Sequence, residues 1–176
     1  VWHGGMSIHG GLIGAVLYIF YFSYRHQYSF LRIADIFTIP LAIALIFGRI
    51  ANFLNGELVG KPTYQSWGII FPHIDNALRH PSQLYEAGKN ILLSIFLFIV
   101  FWKEYGKKTG VLTTCFFLGY GILRFIIEFF REPDGMIWIL STGQALCTFM
   151  IIIGIFLAKQ QNFWQNKNEV NKSMLS

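Results

Sequence analysis

The chain has 176 residues, of which 54% are hydrophobic and 18% aromatic, while only 13% are charged. A soluble domain normally carries about a quarter of its residues as charges, so this composition excludes an ordinary soluble domain and indicates a membrane protein. The net charge of +5 does not indicate a nucleic-acid-binding protein, because the basic residues are scattered between apolar runs rather than collected on one polar face.

Five apolar stretches predict about five transmembrane helices, so we expect an all-α polytopic integral membrane protein. The fourth and fifth stretches have the roughly 20 apolar residues that a spanning helix needs, whereas the first three need flanking residues to reach that length. The stretches cover residues 8–22, 33–47, 90–102, 111–130 and 137–158.

The first stretch starts beside a histidine that is followed by two glycines, His9-Gly10-Gly11. The sequence begins at Val1 rather than at a methionine, and we expect an N-terminally truncated form of a longer protein. At the start of a membrane segment, the imidazole of His9 would lie in partly dry surroundings. Histidine is the side chain best able to take a proton near neutral pH. His9 is therefore either a base or an interfacial histidine without a chemical role.

The second stretch ends in a polar motif, Gly48–Gly60, with the sequence GRIANFLNGELVG. An arginine at the end of an apolar segment is unfavourable unless it reaches water or binds an anion. If the helix continues, Arg49 and Asn52 share one of its faces. The motif is either a site for a phosphate headgroup or an ordinary polar helix end. Its other candidate residues are Asn55, Glu57 and Gly60.

A segment rich in glycine, proline, histidine and asparagine follows, and we expect residues 48–89 to form a small outward-facing cap between the second and third helices. It ends in the motif Arg79–Ala87, where Pro81 is typical of a first helical turn. A helix N-terminus beside arginine and serine can bind an anion. It can equally be a capped interfacial helix, which is the interpretation that we favour.

The fourth stretch carries polar side chains whose spacing places them on one side of a helix. A charge at the centre of a bilayer costs about 2.5–3.5 kcal/mol, so ionisable residues in a span indicate function. A structural salt bridge between Arg124 and Glu128 is the alternative, and both interpretations can hold together. The four residues are Tyr120, Arg124, Glu128 and Arg131.

The polar tail at residues 159–176 is expected to be frayed and cytoplasmic. More lysines and arginines fall on the side of this tail and of the loop after the third stretch than on the opposite side. The positive-inside tendency places that side in the cytoplasm. The polar motifs then all lie at the outer side, and the cap is periplasmic or extracellular. Cys115 and Cys147 lie within apolar runs and are predicted to be buried core residues.

In chain order, these motifs resemble those of the prolipoprotein diacylglyceryl transferase family. The family's G-R-x-x-N-F-x-N-x-E-x-x-G pattern is met at all seven fixed positions between Gly48 and Gly60. The family's H-G-G motif matches at His9, its R-H-P-x-Q-x-Y-E motif at residues 79–86, and its Y-G-x-x-R-F-x-x-E-x-x-R-E-P-D motif at residues 120–134. The resemblance implies that residues 1–158 form a single transmembrane catalytic domain.

The resemblance also implies an activity, which is transfer of the diacylglyceryl group of phosphatidylglycerol to the lipobox cysteine of a prolipoprotein. A thioether forms and glycerol phosphate leaves, without a cofactor or metal, as the first step of bacterial lipoprotein maturation. The expected location is the cytoplasmic (inner) membrane, with the active site toward the outer leaflet. The expected partners are phosphatidylglycerol, the lipobox of the prolipoprotein signal peptide and membrane lipid.

The resemblance assigns catalytic roles to His9, Arg49 and Arg124, with His9 as candidate base and an arginine-linked route as the alternative. The residues implied to bind phosphatidylglycerol are Arg49, Asn52, Asn55, Glu57, Gly60, Tyr120, Arg124, Glu128 and Arg131. Two other functions stay open on the residues alone. One is a membrane carrier for anions or lipids that uses the Arg/Glu stripe of the fourth stretch, and the other is a purely structural membrane subunit.

Overall fold

The structure is a computed structural model that describes residues 8–103, 108–133, 135–137 and 139–174. Within these ranges, the side chains at positions 8, 9, 12, 137 and 162–174 are outside the description. The imidazole of His9, predicted as a base, is therefore among the groups not described, and so is Asp134 at the end of the fourth motif.

Long helices make up most of the described chain, in agreement with the predicted all-α class, and two short antiparallel strand pairs accompany them. In the first pair of strands Ile69 pairs with Arg79, and in the second Met136 pairs with Ser141. The elements are α1 (Ile8–His26), α2 (Phe30–Leu54), β1 (Ile69–Ile70), β2 (Leu78–Arg79), α3 (Ser82–Trp102), α4 (Val111–Ile127), a 3-10 helix (Glu128–Phe130), β3 (Met136–Ile137), β4 (Leu140–Ser141) and α5 (Thr142–Met174).

The protein is a multi-pass membrane protein. Among the described residues, four helices are long and apolar enough to cross a membrane: α2, α3, α4 with its 3-10 extension, and the first part of α5. The 19-residue α1 is not among these four. The predicted count of about five spans therefore stays a prediction.

Helix α4 lies at the centre of the bundle and packs against α2, α3 and α5. Its contact with α5 depends on small residues, because lipid tails compete with apolar side chains and only close packing favours helix association. A Cβ atom at Gly121 of α4 would lie 2.8 Å from the Ile151 side chain, and one at Gly154 of α5 would lie 2.7 Å from Leu118. These glycines allow the two helices to approach closely.

A small apolar core joins α2, α3 and α4. Large hydrophobic side chains such as Phe37 and Ile95 remain about half exposed, as expected where lipid rather than water surrounds the helices. The buried core residues are Ala42, Leu93, Leu97, Leu112 and Phe116.

A buried carboxylate connects α2 to the start of α4. Asp35, one turn into α2, accepts hydrogen bonds from the Gly110 amide (2.5 Å), the Thr113 amide (2.7 Å) and the Thr113 hydroxyl (2.6 Å). The first amides of a helix have no partner within the helix, so Asp35 supplies a cap from another helix. Gly110 has a φ of +86°, which favours glycine at this turn. Sequence reasoning did not single out Asp35.

The helix start predicted at Pro81 is confirmed, because α3 begins at Ser82 directly after it, so Glu86 and Lys89 are helical. Two other predicted boundaries are wrong. Helix α4 ends at Ile127, because the chain turns into a 3-10 helix there, and Arg131 does not share a helical stripe with Arg124. The backbone of α5 stays helical through Met174, so the segment predicted as a frayed tail continues that helix.

The segment between α2 and α3 is shorter than the predicted cap, because both helices extend into the range 48–89. It consists of residues 55–81, and we call these residues the cap. Cys147 is buried as predicted, whereas Cys115 is only partly buried.

We expect Asp35→Asn to reduce the free energy of unfolding by about 2 kcal/mol, since the amide keeps the shape but loses the charge that strengthens three hydrogen bonds. Unfolding in detergent micelles measures this loss. Ile36→Ala is the matched control, because Ile36 is the neighbouring residue and is 68% exposed. An Asp35→Asn protein as stable as the parent would contradict the capping role.

Candidate functional site

The alternating direction of the helices brings four helix termini to one end of the bundle. These are the C-terminal ends of α2 and α4 and the N-terminal ends of α3 and α5. Arg49 lies near the end of α2, Glu86 in the second turn of α3 and Arg124 in the last turn of α4. Residues far apart in sequence are thus placed together.

Glu86 is the centre of this arrangement. Its side chain is 2% exposed, and its carboxylate forms ion pairs with three cations. Oε1 contacts Nη1 of Arg124, while Oε2 lies 3.3 Å from Nζ of Lys89 and 3.6 Å from Nε of Arg49. A buried carboxylate is stable only with such partners. Glu86 therefore fixes both predicted arginines in one place.

A second carboxylate holds Arg124 from the other side. Oε2 of Glu128 lies 2.7 Å from Nη1 of Arg124, and Oε1 accepts a hydrogen bond of 2.8 Å from the Ser141 hydroxyl. A Cβ atom at position 143 would lie 2.7 Å from Oε2 of Glu128, so a side chain there would clash with the carboxylate and Gly143 avoids the clash. The predicted Arg124–Glu128 salt bridge is confirmed, and the hydrogen bond between Ser141 and Glu128 connects the end of α4 to the start of α5.

The start of α5 forms a capping box. The Ser141 hydroxyl accepts from the Gln144 amide (3.1 Å), and the Gln144 side chain accepts from the Ser141 amide (3.0 Å). Ser141 thus has a fixed orientation when it donates to Glu128. The S-x-x-Q spacing was a sequence signal that sequence reasoning overlooked.

Lys89 and Tyr120 complete the cluster. The Lys89 ammonium lies 3.6 Å from the centre of the Tyr120 ring and donates a 3.1 Å hydrogen bond to Oδ1 of Asn90. Lys89 is 4% exposed although it carries a charge.

We call the five ionisable residues of this end the charge cluster: Arg49, Glu86, Lys89, Arg124 and Glu128. Three cations face two carboxylates, so the formal charge of the cluster is positive by one. A net charge in low-dielectric surroundings is unfavourable unless a counter-ion arrives. The cluster therefore favours the binding of one anion.

The motif after Arg49 adjoins the cluster without joining it. Asn52 donates to the Glu57 carboxylate at 3.0 Å, and Asn55 forms the C-terminal cap of α2. Gln83, at the start of α3, donates to the Glu57 carbonyl at 2.6 Å. These contacts attach the motif to the first turn of the helix that carries Glu86.

Gly60, the last motif residue, lies where the cap meets the end of α4. Its amide donates to the His80 carbonyl, and a Cβ atom here would lie 2.8 Å from the Phe130 carbonyl oxygen. The backbone of Gly60 pairs with that of Arg131, whose side chain is buried. Gly60 and Arg131 therefore join the cap to the bundle.

Arg79 holds the cap together. It forms ion pairs of 2.6 Å with Asp75 and with Glu132, and it donates to the Gly60 carbonyl at 3.1 Å. The hydrogen bond from Arg79 lowers the pKa of Asp75 below its ordinary value of 3.8, and the same bond raises the pKa of Arg79. Both groups are therefore charged at neutral pH.

The structure brings four of the predicted residues together around one carboxylate: Arg49, Tyr120, Arg124 and Glu128. The other described candidates lie beside the cluster or at the junction with the cap: Asn52, Asn55, Glu57, Gly60 and Arg131. Sequence reasoning missed the parts played by Glu86 and Lys89. The available signal was a carboxylate and an ammonium at i and i+3, leading directly into an apolar run.

Comparison with known proteins gives one consistent family. A family model described as prolipoprotein diacylglyceryl transferase matches residues 1–159. The chain is similar to curated proteins named phosphatidylglycerol–prolipoprotein diacylglyceryl transferase. In Polynucleobacter asymbioticus the identity is 42%, over 92% of this chain and 63% of the relative. The relative from Zymomonas mobilis is 46% identical, over 89% of this chain and 57% of the relative. The relative from Rickettsia bellii is 45% identical, over 89% of this chain and 62% of the relative. The chain thus spans about three fifths of the length of these relatives.

Acidification is expected to protonate Asp75 only below the ordinary pKa of an aspartate. Because Arg79 lowers this pKa in the folded cap, the ion pair between Asp75 and Arg79 stabilises the cap fully above about pH 4. It is lost as the pH falls through the lowered value. Carbon NMR of the Asp75 carboxyl group measures the midpoint of its titration, and Arg79→Gln should raise this midpoint. A midpoint at or above 3.8 in the unsubstituted protein would contradict the ion pair.

Proposed function

The chain belongs to the prolipoprotein diacylglyceryl transferase family, and from this premise we propose that it modifies prolipoproteins with lipid. In the proposed reaction, the diacylglyceryl group of phosphatidylglycerol passes to the thiol of the lipobox cysteine. A thioether forms and glycerol phosphate is released. The reaction is the first step in maturation of a bacterial lipoprotein.

One observation carries the proposal: two arginines from different helices meet at one buried carboxylate in a cluster with excess positive charge. Phosphatidylglycerol has an anionic phosphate, which arginine binds through paired hydrogen bonds. A site that must bind phosphate and then release it as a leaving group needs such cations. The convergence of Arg49 and Arg124 supports this substrate class.

The chemistry assigns a separate step to each group. The cysteine thiol, with an ordinary pKa of about 8.5, must lose its proton before it attacks. In the proposal His9 accepts this proton. The thiolate then attacks the diacylglyceryl carbon that is joined to the phosphate, the bond between this carbon and the phosphate oxygen breaks, and the bonding electrons leave with glycerol phosphate. Arg49 and Arg124 stabilise the charge that develops there.

The neighbouring polar residues are proposed to orient the headgroup and the arginines. Glu128 pairs with Arg124 and limits the directions in which that guanidinium group can point, while the Tyr120 ring lies against the neighbouring Lys89 ammonium. The residues proposed to complete the phosphatidylglycerol site are Asn52, Asn55, Glu57, Gly60 and Arg131.

We place the protein in the bacterial cytoplasmic (inner) membrane, with the charge cluster toward the outer leaflet. The opposite end of the bundle carries exposed basic residues, among them Arg25, Arg32 and Lys103. Positive residues favour the cytoplasmic side. This orientation gives the cluster access to outer-leaflet phospholipid and to the lipobox of a signal peptide. In the part of the chain that is described, no observation favours the anion or lipid carrier.

Arg124→Gln is expected to lower kcat for lipid transfer by about 10²–10³-fold, since it removes a donor that stabilises the leaving phosphate. Arg49→Lys should also reduce activity, because an ammonium keeps the charge but loses the planar pair of donors. The assay incubates membranes that bear the full-length protein containing this chain with phosphatidylglycerol and a lipobox peptide. Mass spectrometry then detects diacylglycerol joined to the cysteine by a thioether.

Arg32→Gln is the matched control, because Arg32 is exposed at the opposite end of the bundle. Its activity should equal that of the unsubstituted chain. If Arg124→Gln and Arg49→Lys transfer lipid at the control rate, the headgroup site is elsewhere. If the full-length protein that contains this chain forms no adduct, the transferase function is wrong.

A further inference from the structure

Lys89 is a buried cation that belongs to none of the family's sequence motifs. Its ammonium has three partners: the Glu86 carboxylate at 3.3 Å, the Asn90 side-chain oxygen at 3.1 Å and the face of the Tyr120 ring at 3.6 Å. Glu86, Lys89 and Asn90 are all on α3, within two turns. Lys89 is thus held in place by its own helix and by one residue of α4.

Phosphate binding by the two arginines would remove cations from the Glu86 carboxylate. Arg49 and Arg124 are both paired with this carboxylate in the structure. When their guanidinium groups turn toward an anionic phosphate, Glu86 loses two of its three cations. A buried carboxylate without a cation is strongly unfavourable, so binding would be weak unless another positive charge remained in place.

Lys89 is positioned to stay beside Glu86 when the two arginines turn toward the phosphate. The arginines lie on α2 and α4, whereas Lys89 lies one turn from Glu86 on the same helix. Its contacts with Asn90 and the Tyr120 ring restrain the ammonium beside the carboxylate. These contacts do not depend on either arginine.

We propose that Lys89 is a positioning residue, the resident counter-ion that neutralises Glu86 while Arg49 and Arg124 bind the phosphate of an anionic lipid. The proposal rests on the proposed function for the identity of the lipid. Lys89 also sets the charge of the cluster. Without it, two cations would face two carboxylates and the excess positive charge that attracts an anion would vanish.

The test compares variants of the full chain in nanodiscs of phosphatidylcholine that contain increasing fractions of phosphatidylglycerol. Binding of labelled phosphatidylglycerol is measured without peptide, and KM and kcat are measured with a lipobox peptide. Lys89→Met should weaken binding and raise KM for phosphatidylglycerol by about 30-fold or more, as for other truncated buried charge pairs. Lys89→Arg should retain most of the binding. Lys103→Met, at the exposed end of the same helix, is the control and should have no effect.

A double substitution separates charge compensation from a merely structural role. In Glu86→Gln/Lys89→Met, no carboxylate at position 86 needs a counter-ion, and the cluster again has one excess positive charge. We expect this protein to bind phosphatidylglycerol within about threefold of the unsubstituted chain, with most of its loss in kcat. A structural lysine would instead leave the double variant as weak as Lys89→Met or weaker.

The outcomes separate this proposal from the transferase function. Binding by Lys89→Met equal to that of the unsubstituted chain would overturn the role of Lys89. So would a double variant that binds as poorly as Lys89→Met. If Lys89→Met does not fold, the double variant alone decides: binding within about threefold of the unsubstituted chain supports the role of Lys89, and weaker binding overturns it. Absence of lipidated peptide with the full-length unsubstituted protein would remove the transferase function, while the binding measurements would still decide the role of Lys89.

Discussion

The interaction on which the structure depends is the ion pairing of the Glu86 carboxylate with cations from three helices. Helices in a membrane gain little from apolar contacts with each other, since lipid satisfies apolar side chains equally well. Polar contacts and close approach at small residues therefore have to select the arrangement. Glu86 joins α2, α3 and α4, and Glu128 extends the connection to α5 through Ser141.

A second polar contact fixes the opposite end of the same bundle. Asp35 of α2 caps the first turn of α4 through three hydrogen bonds. With Glu86 at one end and Asp35 at the other, α2 and α4 are connected at both ends and cannot slide past each other without losing ion pairs or hydrogen bonds. This fixed register keeps Arg49 and Arg124 opposite one carboxylate, which is the condition for a shared anion site.

Hydropathy and helical spacing are local properties that persist in the fold, so they predicted the helical class and four of the spans. The meeting of Arg49, Tyr120 and Arg124 on different helices was implied only by the family resemblance. Neither source predicted Glu86 as the centre, since that depends on three helices coming together. The error at Arg131 has a similar origin: helical spacing beyond Ile127 assumes an α-helix where the chain changes to a 3-10 turn. The role of His9, whose side chain is outside the description, stays a prediction.

The same pairing that stabilises the bundle also determines how an anion can bind. An arginine held by a buried carboxylate is oriented in advance, but it must exchange that partner for the ligand. The exchange is close to balanced when the carboxylate keeps another cation, and it is strongly unfavourable when it does not. For anion binding, it therefore matters as much which cations stay fixed and which can exchange partners as how many cations there are. Lys89, restrained beside Glu86 on α3, is the fixed one, and the two arginines on the neighbouring helices are the ones free to exchange.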